Sequence, residues 1–138
     1  MKNDQMKLNE VVIGVGSNID PVKNIKIAEQ TISANHNLIK ISSFIETKPI
    51  GYKNQDNFLN GAFLIETEMG LSELKCWLKT LEQKLGRTKT ENKNGPRTID
   101  LDIIVWNGKV VDNEVYEREF LLNSIKEILP DIILKDKE

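Results

Sequence analysis

The hydrophobic residues of this chain change their spacing in a fixed order, and that order restricts the fold more than any other feature. "EVVIGVGSN" (10–18) reads as a short buried strand entering a glycine-bearing turn. Val22, Ile25, Ala28 and Ile32 then recur at three- and four-residue steps. They follow Asp20-Pro21, an N-cap with proline at the first helical position, so a helix of about four turns is predicted. "HNLIKISSFIETKPIG" (36–51) returns to alternation and predicts one long strand, ended by Pro49 and Gly51. "FLNGAFLIETE" (58–68) is the next strand. Leu71, Leu74, Leu78, Leu81 and Leu85 mark one face of a second helix, stopped at Gly86. After a polar loop, "RTIDLDIIVW" (97–106) is a further strand, and Asn107-Gly108 is a hairpin turn into the short strand "KVVDNEVY". "FLLNSIKEILP" closes the chain as a helix ended by Pro130.

The order β-α-β-β-α-β with a small tail predicts an α+β, ferredoxin-like sandwich. Its antiparallel sheet carries the helices on one face, and a small C-terminal hairpin and helix follow. Residues 1–138 are expected to form a single domain with a flexible start over 1–9, since a chain this long can bury roughly two-thirds of its unfolded surface. Nineteen Lys+Arg against 21 Asp+Glu give a net charge of −2, which disfavours a general basic face for nucleic acid. One cysteine and one histidine exclude an intrachain disulfide and any multi-histidine or cysteine-based metal site within this sequence. The start has no apolar core of signal-peptide length, and no run approaches the ~20 apolar residues of a membrane span. A cytoplasmic location is expected.

One stretch resists a purely structural reading. "NGPRTIDLDII" (94–104) sets Asp100 and Asp102 inside an apolar strand, and burying an uncompensated charge costs several kcal/mol or more. Alternation puts both acids on one face, about 6.5–7 Å apart, and Ile99, Leu101 and Ile103 on the other, toward the helices. Unpaired, two such carboxylates raise each other's pKa. A hard divalent cation removes the conflict, and Mg²⁺ combines one or two carboxylates with substrate phosphates and water. Arg97 stands where its fork can grip a phosphate, and Arg87 and Lys89 open the adjoining polar loop. The pattern suits phosphoryl transfer.

The other candidates read as structure. "GVGSN" lacks the lysine and the glycine spacing of a phosphate loop and reads as a tight turn. His36 has no evident partner and reads as a helix-end or loop residue, and Cys76 and Trp77 read as packing residues of an amphipathic helix.

"KNGPRTIDLDII" resembles the signature of the 6-hydroxymethyl-7,8-dihydropterin pyrophosphokinase family. "GVGSNID", "SSFIETKPIGYKNQDNFLNGA" and "LEQKLGR" match it in order and spacing, over roughly residues 10 to 106, whereas the last thirty match poorly. The resemblance implies transfer of the pyrophosphoryl group of ATP to the hydroxymethyl oxygen of the pterin, with release of AMP, in folate biosynthesis. It implies that Asp100 and Asp102 hold two Mg²⁺ ions and that Asp100 orients the attacking hydroxyl. It assigns Arg87 and Arg97 to catalysis and, with Glu82, Lys89, Ile103 and Arg118, to ATP. It assigns Thr47, Ile50, Phe58, Asn60 and Phe120 to the pterin. Phe58 and Asn60 also share a strand face by alternation alone.

The sequence departs from the family pattern in three places. Asn94 stands for a tryptophan, Lys89 for an arginine, and the Pro-His segment between the metal aspartates and the last arginine is absent from a shortened, atypical C-terminal segment. These changes imply weaker ATP binding. They also leave open a degenerate paralogue that binds a pterin-like heterocycle without transfer. An RNA-binding module of the same fold is disfavoured by the two acids, which would repel a phosphodiester. The expected partners are small molecules, with no nucleic acid and no membrane, and the chain is expected to act as a monomer.

Overall fold

A computed structural model describes residues 7–49, 51, 54–86 and 96–134. The elements are β1 (Asn9–Ser17), α1 (Pro21–Asn35), β2 (Asn37–Ile41), β3 (Ile45–Thr47), β4 (Phe58–Thr67) and α2 (Leu71–Lys84), then β5 (Asp100–Trp106) and β6 (Lys109–Val110). A 3₁₀ turn (Asn113–Glu117) and α3 (Glu119–Ile128) complete the order. The strands form one sheet in the order β2-β4-β1-β5-β6, with β3 also on β4, and all its pairings are antiparallel. This is the ferredoxin-like α+β arrangement expected from the periods.

The helical stripes explain why α1 and α2 cover one face. Ile25, Ala28 and Ile32 of α1 and Leu74, Leu78 and Leu81 of α2 meet Val11, Ile13, Phe63, Ile65 and Leu101 in a single buried cluster. Val22, expected in the α1 stripe, is instead 76% exposed. On the opposite face Ile125 and Ile128 of α3, with Val115, cover Val12, Ala62, Leu64, Ile104 and Val105. The sheet is therefore clothed on both sides, by α1 and α2 on one face and by α3 on the other.

The structure corrects further local expectations, among them the strand expected over 109–116, which covers only Lys109–Val110 before the 3₁₀ turn. Residues 36–51 do not form one strand, because Ser42 interrupts it. Its hydroxyl accepts the Ala62 N–H at 2.8 Å while its own N–H donates to the Ala62 carbonyl at 2.9 Å, so a side chain replaces a backbone acceptor. Gly61 makes room for the ring of Phe44 there, since a Cβ would lie 2.6 Å from it. Gly14 to Ser17 are not a tight turn but the end of β1, paired on both sides to β4 and β5. Cys76 is exposed rather than packed. His36 does have partners: its Nδ1 lies 2.9 Å from Thr67 Oγ1, and its ring meets that of Trp77 edge to face at 4.4 Å. The hairpin turn is as expected, with Asn107 at φ 48° and Gly108 at φ 83°, the paired left-handed residues of a type I′ turn.

Candidate active site

The acid pair owes its setting to the β1–β5 register. Asp100 lies opposite Gly16 and Asp102 opposite Gly14, so no side chain on β1 fills the space beside the carboxylates. Val12 pairs with Val105 and Ile13 with Ile103, which leaves Ile104 as a bulge. Ile104 and Val105 both enter the α3 cluster, while Leu101 and Ile103 pack toward α1 and α2. Asp100 and Asp102 therefore share the face that α3 only partly covers, as alternation predicts.

β6 pairs with Val105 and Trp106, so among the described residues the outer edge of β5 beside the acids has no strand neighbour. Helix α2 supplies the missing acceptor. Glu82, 3% exposed, takes the Leu101 N–H on Oε2 at 2.7 Å. Lys79, one helical turn earlier, places Nζ 3.2 Å from that oxygen and 3.4 Å from Asp102 Oδ1. Loss of hydration pushes the Asp102 carboxyl up from an ordinary 3.8 to about 7. The charge of Asp100 and a hydrogen bond between the two side chains add to the rise, and Lys79 works against it. Lys79 loses hydration too, yet the charges of Asp102, Glu82 and Asp100 outweigh that and raise its pKa. The Asp102 side chain is still 44% exposed, so the lysine compensates the site without closing it.

Two depressions meet at Asp102. One, of about 350 Å³, runs between α2 and the strand edge and is lined by Leu71, Lys75, Leu78, Lys79, Ile103 and Asp112 among others. Its apolar lining also includes Leu101 and Val111, and its polar lining joins the two lysines to Asp102, Asp112 and Asn113. The other, of about 70 Å³, lies between β1, β5 and the start of α3, where Asn60, Asp100, Arg118 and Phe120 surround the two glycines. Arg118 is paired with Glu114 at 3.3 Å.

The structure thus brings together Asp100, Asp102, Asn60, Arg118 and Phe120, with Ile103 and Glu82 on the other side of the acids. Asn60 Nδ2 donates to Thr47 Oγ1 at 2.6 Å, which joins Thr47 to the same corner. Phe58 sits opposite Thr47, half-buried at the start of β4, and is not among the residues lining either depression. Arg97 precedes β5 with its backbone N–H bound to Asn18 Oδ1 at 2.8 Å. Ile50, Arg87 and Lys89 lie outside the described residues. Sequence reasoning passed over Lys79 and Asn18. The spacing of Lys79 to Glu82 was visible, but nothing local says that this helix edge faces Asp102.

The donor set suits a hard cation. Two carboxylates within hydrogen-bond reach of each other offer oxygen ligands and leave room for phosphates and water. Among the described residues no group of three or more His, Cys, Asp or Glu could cage a metal unaided.

Fold and site together define a small α+β domain that presents one carboxylate pair to two neighbouring ligand clefts. Across residues 12–130 the chain matches the family model for 7,8-dihydro-6-hydroxymethylpterin-pyrophosphokinase. It is 32% identical over 137 residues to the 2-amino-4-hydroxy-6-hydroxymethyldihydropteridine pyrophosphokinase of Haemophilus influenzae, covering 91% of this chain and 85% of that one. The Bacillus subtilis protein of the same name is 35% identical over 135 residues, at 90% and 80% coverage. A folic acid synthesis protein of Schizosaccharomyces pombe is 35% identical over 143 residues, 96% of this chain but 19% of that longer one. The chain belongs to the 7,8-dihydro-6-hydroxymethylpterin-pyrophosphokinase family and is a pyrophosphokinase, a transferase of folate biosynthesis. The match runs to residue 130, so the segment after β5 follows the family pattern further than its sequence alone suggests. Among the described residues no helix is long and apolar enough to cross a membrane.

Proposed function

We propose that the protein moves the pyrophosphoryl group of ATP onto the hydroxymethyl oxygen of 6-hydroxymethyl-7,8-dihydropterin, with magnesium, and releases AMP. One observation carries this reading: Asp100 and Asp102 share a face, lie within hydrogen-bond reach of each other, and stand open between a lysine-lined cleft and a small polar depression. The larger cleft suits a nucleotide, whose base would lie beside Ile103 and whose phosphates would reach toward Asp102. The pterin would lie over the smaller depression, with Asn60 reading its edge and Phe120 beside its plane. Phe58, Thr47 and Ile50 belong to the same half in this reading.

Magnesium bound by the two acids would neutralise charge on the polyphosphate and hold it in place. The protein's own groups do the rest. Asp100, on the pterin side, would accept a hydrogen bond from the hydroxymethyl group and aim its oxygen at the β-phosphorus. Arg97, Arg87, Lys89 and Arg118 would bind phosphate oxygens, the arginines bidentately. Glu82 would act from behind, by fixing the strand edge that carries Asp102. The names of the relatives favour transfer over a binding-only role. Incubation with ATP, Mg²⁺ and hydroxymethyldihydropterin should yield AMP, and Asp102→Ala should nearly abolish it while the protein stays folded. Absence of AMP, or ADP in its place, refutes the proposal.

A further inference from the structure

Asn18 has no part in the roles above, yet its buried side chain makes three hydrogen bonds near the site. It stands at the end of β1 with 5% of its surface exposed. Its Oδ1 accepts the Arg97 N–H at 2.8 Å. Its Nδ2 donates to Gln55 Oε1 at 2.7 Å and to the Asp56 carbonyl at 3.0 Å. Its own N–H donates to the Arg97 carbonyl at 3.1 Å, and the neighbouring Ser17 hydroxyl donates to the Thr98 carbonyl at 2.6 Å.

The two segments so joined lead to different halves of the site. Residues 55–56 run into Phe58 and Asn60, and residues 97–98 run into Asp100 and Asp102. A carboxamide has an acceptor end and a donor end that do different work. Here the acceptor end holds the phosphate-side segment and the donor end holds the pterin-side segment. The amide cannot turn to release one segment without stranding a buried polar group at the other.

We propose that Asn18 is a positioning residue whose amide sets the two substrate segments independently, Oδ1 serving the phosphate side and Nδ2 the pterin side. The inference rests on the proposed function for the naming of the halves. The two ends can be separated by substitution. Asn18→Asp keeps an acceptor for the Arg97 N–H but sets an oxygen against the Asp56 carbonyl. That backbone carbonyl cannot turn over to donate. Gln55→Ala weakens the same arm without adding charge.

The test is calorimetric titration of the full chain with an oxidised, unreactive hydroxymethylpterin and, separately, with a non-hydrolysable ATP analogue and Mg²⁺. N18D should weaken pterin binding about tenfold and change nucleotide binding by less than about twofold, and Gln55→Ala should shift the pterin alone by about threefold. N18A, which removes both ends, should weaken both ligands. Equal losses for both ligands in N18D and in Gln55→Ala, or no loss in either variant, overturn the proposal. If N18D does not fold, Gln55→Ala decides alone by the same criterion. A native protein that forms no AMP refutes the proposed function, whereas normal AMP formation with unsplit affinities refutes only the role of Asn18.

Discussion

Asp102 should be a residue that the fold would be more stable without. Its carboxyl titrates near 7 in the folded chain against an ordinary 3.8. An acid whose pKa is raised on folding binds its proton more tightly in the folded state, so stability is greatest below about pH 4, falls as pH rises toward 7, and is flat above. A gap of about 3 pH units corresponds to roughly 4 kcal/mol at 1.36 kcal/mol each. The Asp102 side chain is 44% exposed, and solvent screening reduces this to about 1–2 kcal/mol. The attraction of Lys79 is already contained in that figure, since it opposes the rise. Asp102→Asn removes the ionising group but keeps its size. Its melting temperature should match the native one near pH 4 and exceed it by about 3–6 °C at pH 8, at roughly 3 °C per kcal/mol for a chain of this length. Scanning calorimetry at pH 4, 6 and 8 without metal or nucleotide measures this directly. A variant that melts below the native protein at pH 8, or a difference independent of pH, would show that the acid pair is not under electrostatic tension.

Other outcomes follow from the same geometry. Mg²⁺ with an ATP analogue should stabilise the native protein more at pH 8 than at pH 6, and titrations in buffers of different ionisation enthalpy at pH 6 should show release of up to about one proton per binding event. Lys79→Met should lower stability at pH 8 by about 0.5–1 kcal/mol in urea titrations and move the Asp102 titration seen by carbon NMR to higher pH, because an opposing charge has gone. Gly16→Ala should cost about 1–3 kcal/mol and loosen pterin binding at least tenfold, since its Cβ would come 2.5 Å from Asn60 Oδ1 and drive that amide from Thr47. Pterin and nucleotide affinities of that variant, measured side by side, check the claim.

Much of this molecule is legible in its periods. The leucines from 74 to 85 and the stripe from Ile25 to Ile32 each say which way a helix must face, although Leu71, expected to start the first stripe, is 43% exposed; alternation in 97–106 places both aspartates on one side. The order of periods is enough for a ferredoxin-like sheet, because few arrangements bury two helical stripes against intervening strands. Local spacing reports the face a side chain takes; it says nothing of what lies across from it. Gly14 and Gly16 look like a turn until β4 and β5 pair with them on both sides, and then their lack of side chains becomes the opening above the acids. Ser42 breaks a strand only because Ala62 is its neighbour. Lys79 meets Asp102 across 23 residues of sequence and Asn18 meets Arg97 across 79. Those contacts depend on strand register and on an uncovered sheet edge, which are set by pairing between segments distant in the chain. The sequence alone determined that two acids would share a face; only the packed sheet decided which cation, which amide and which clefts would surround them.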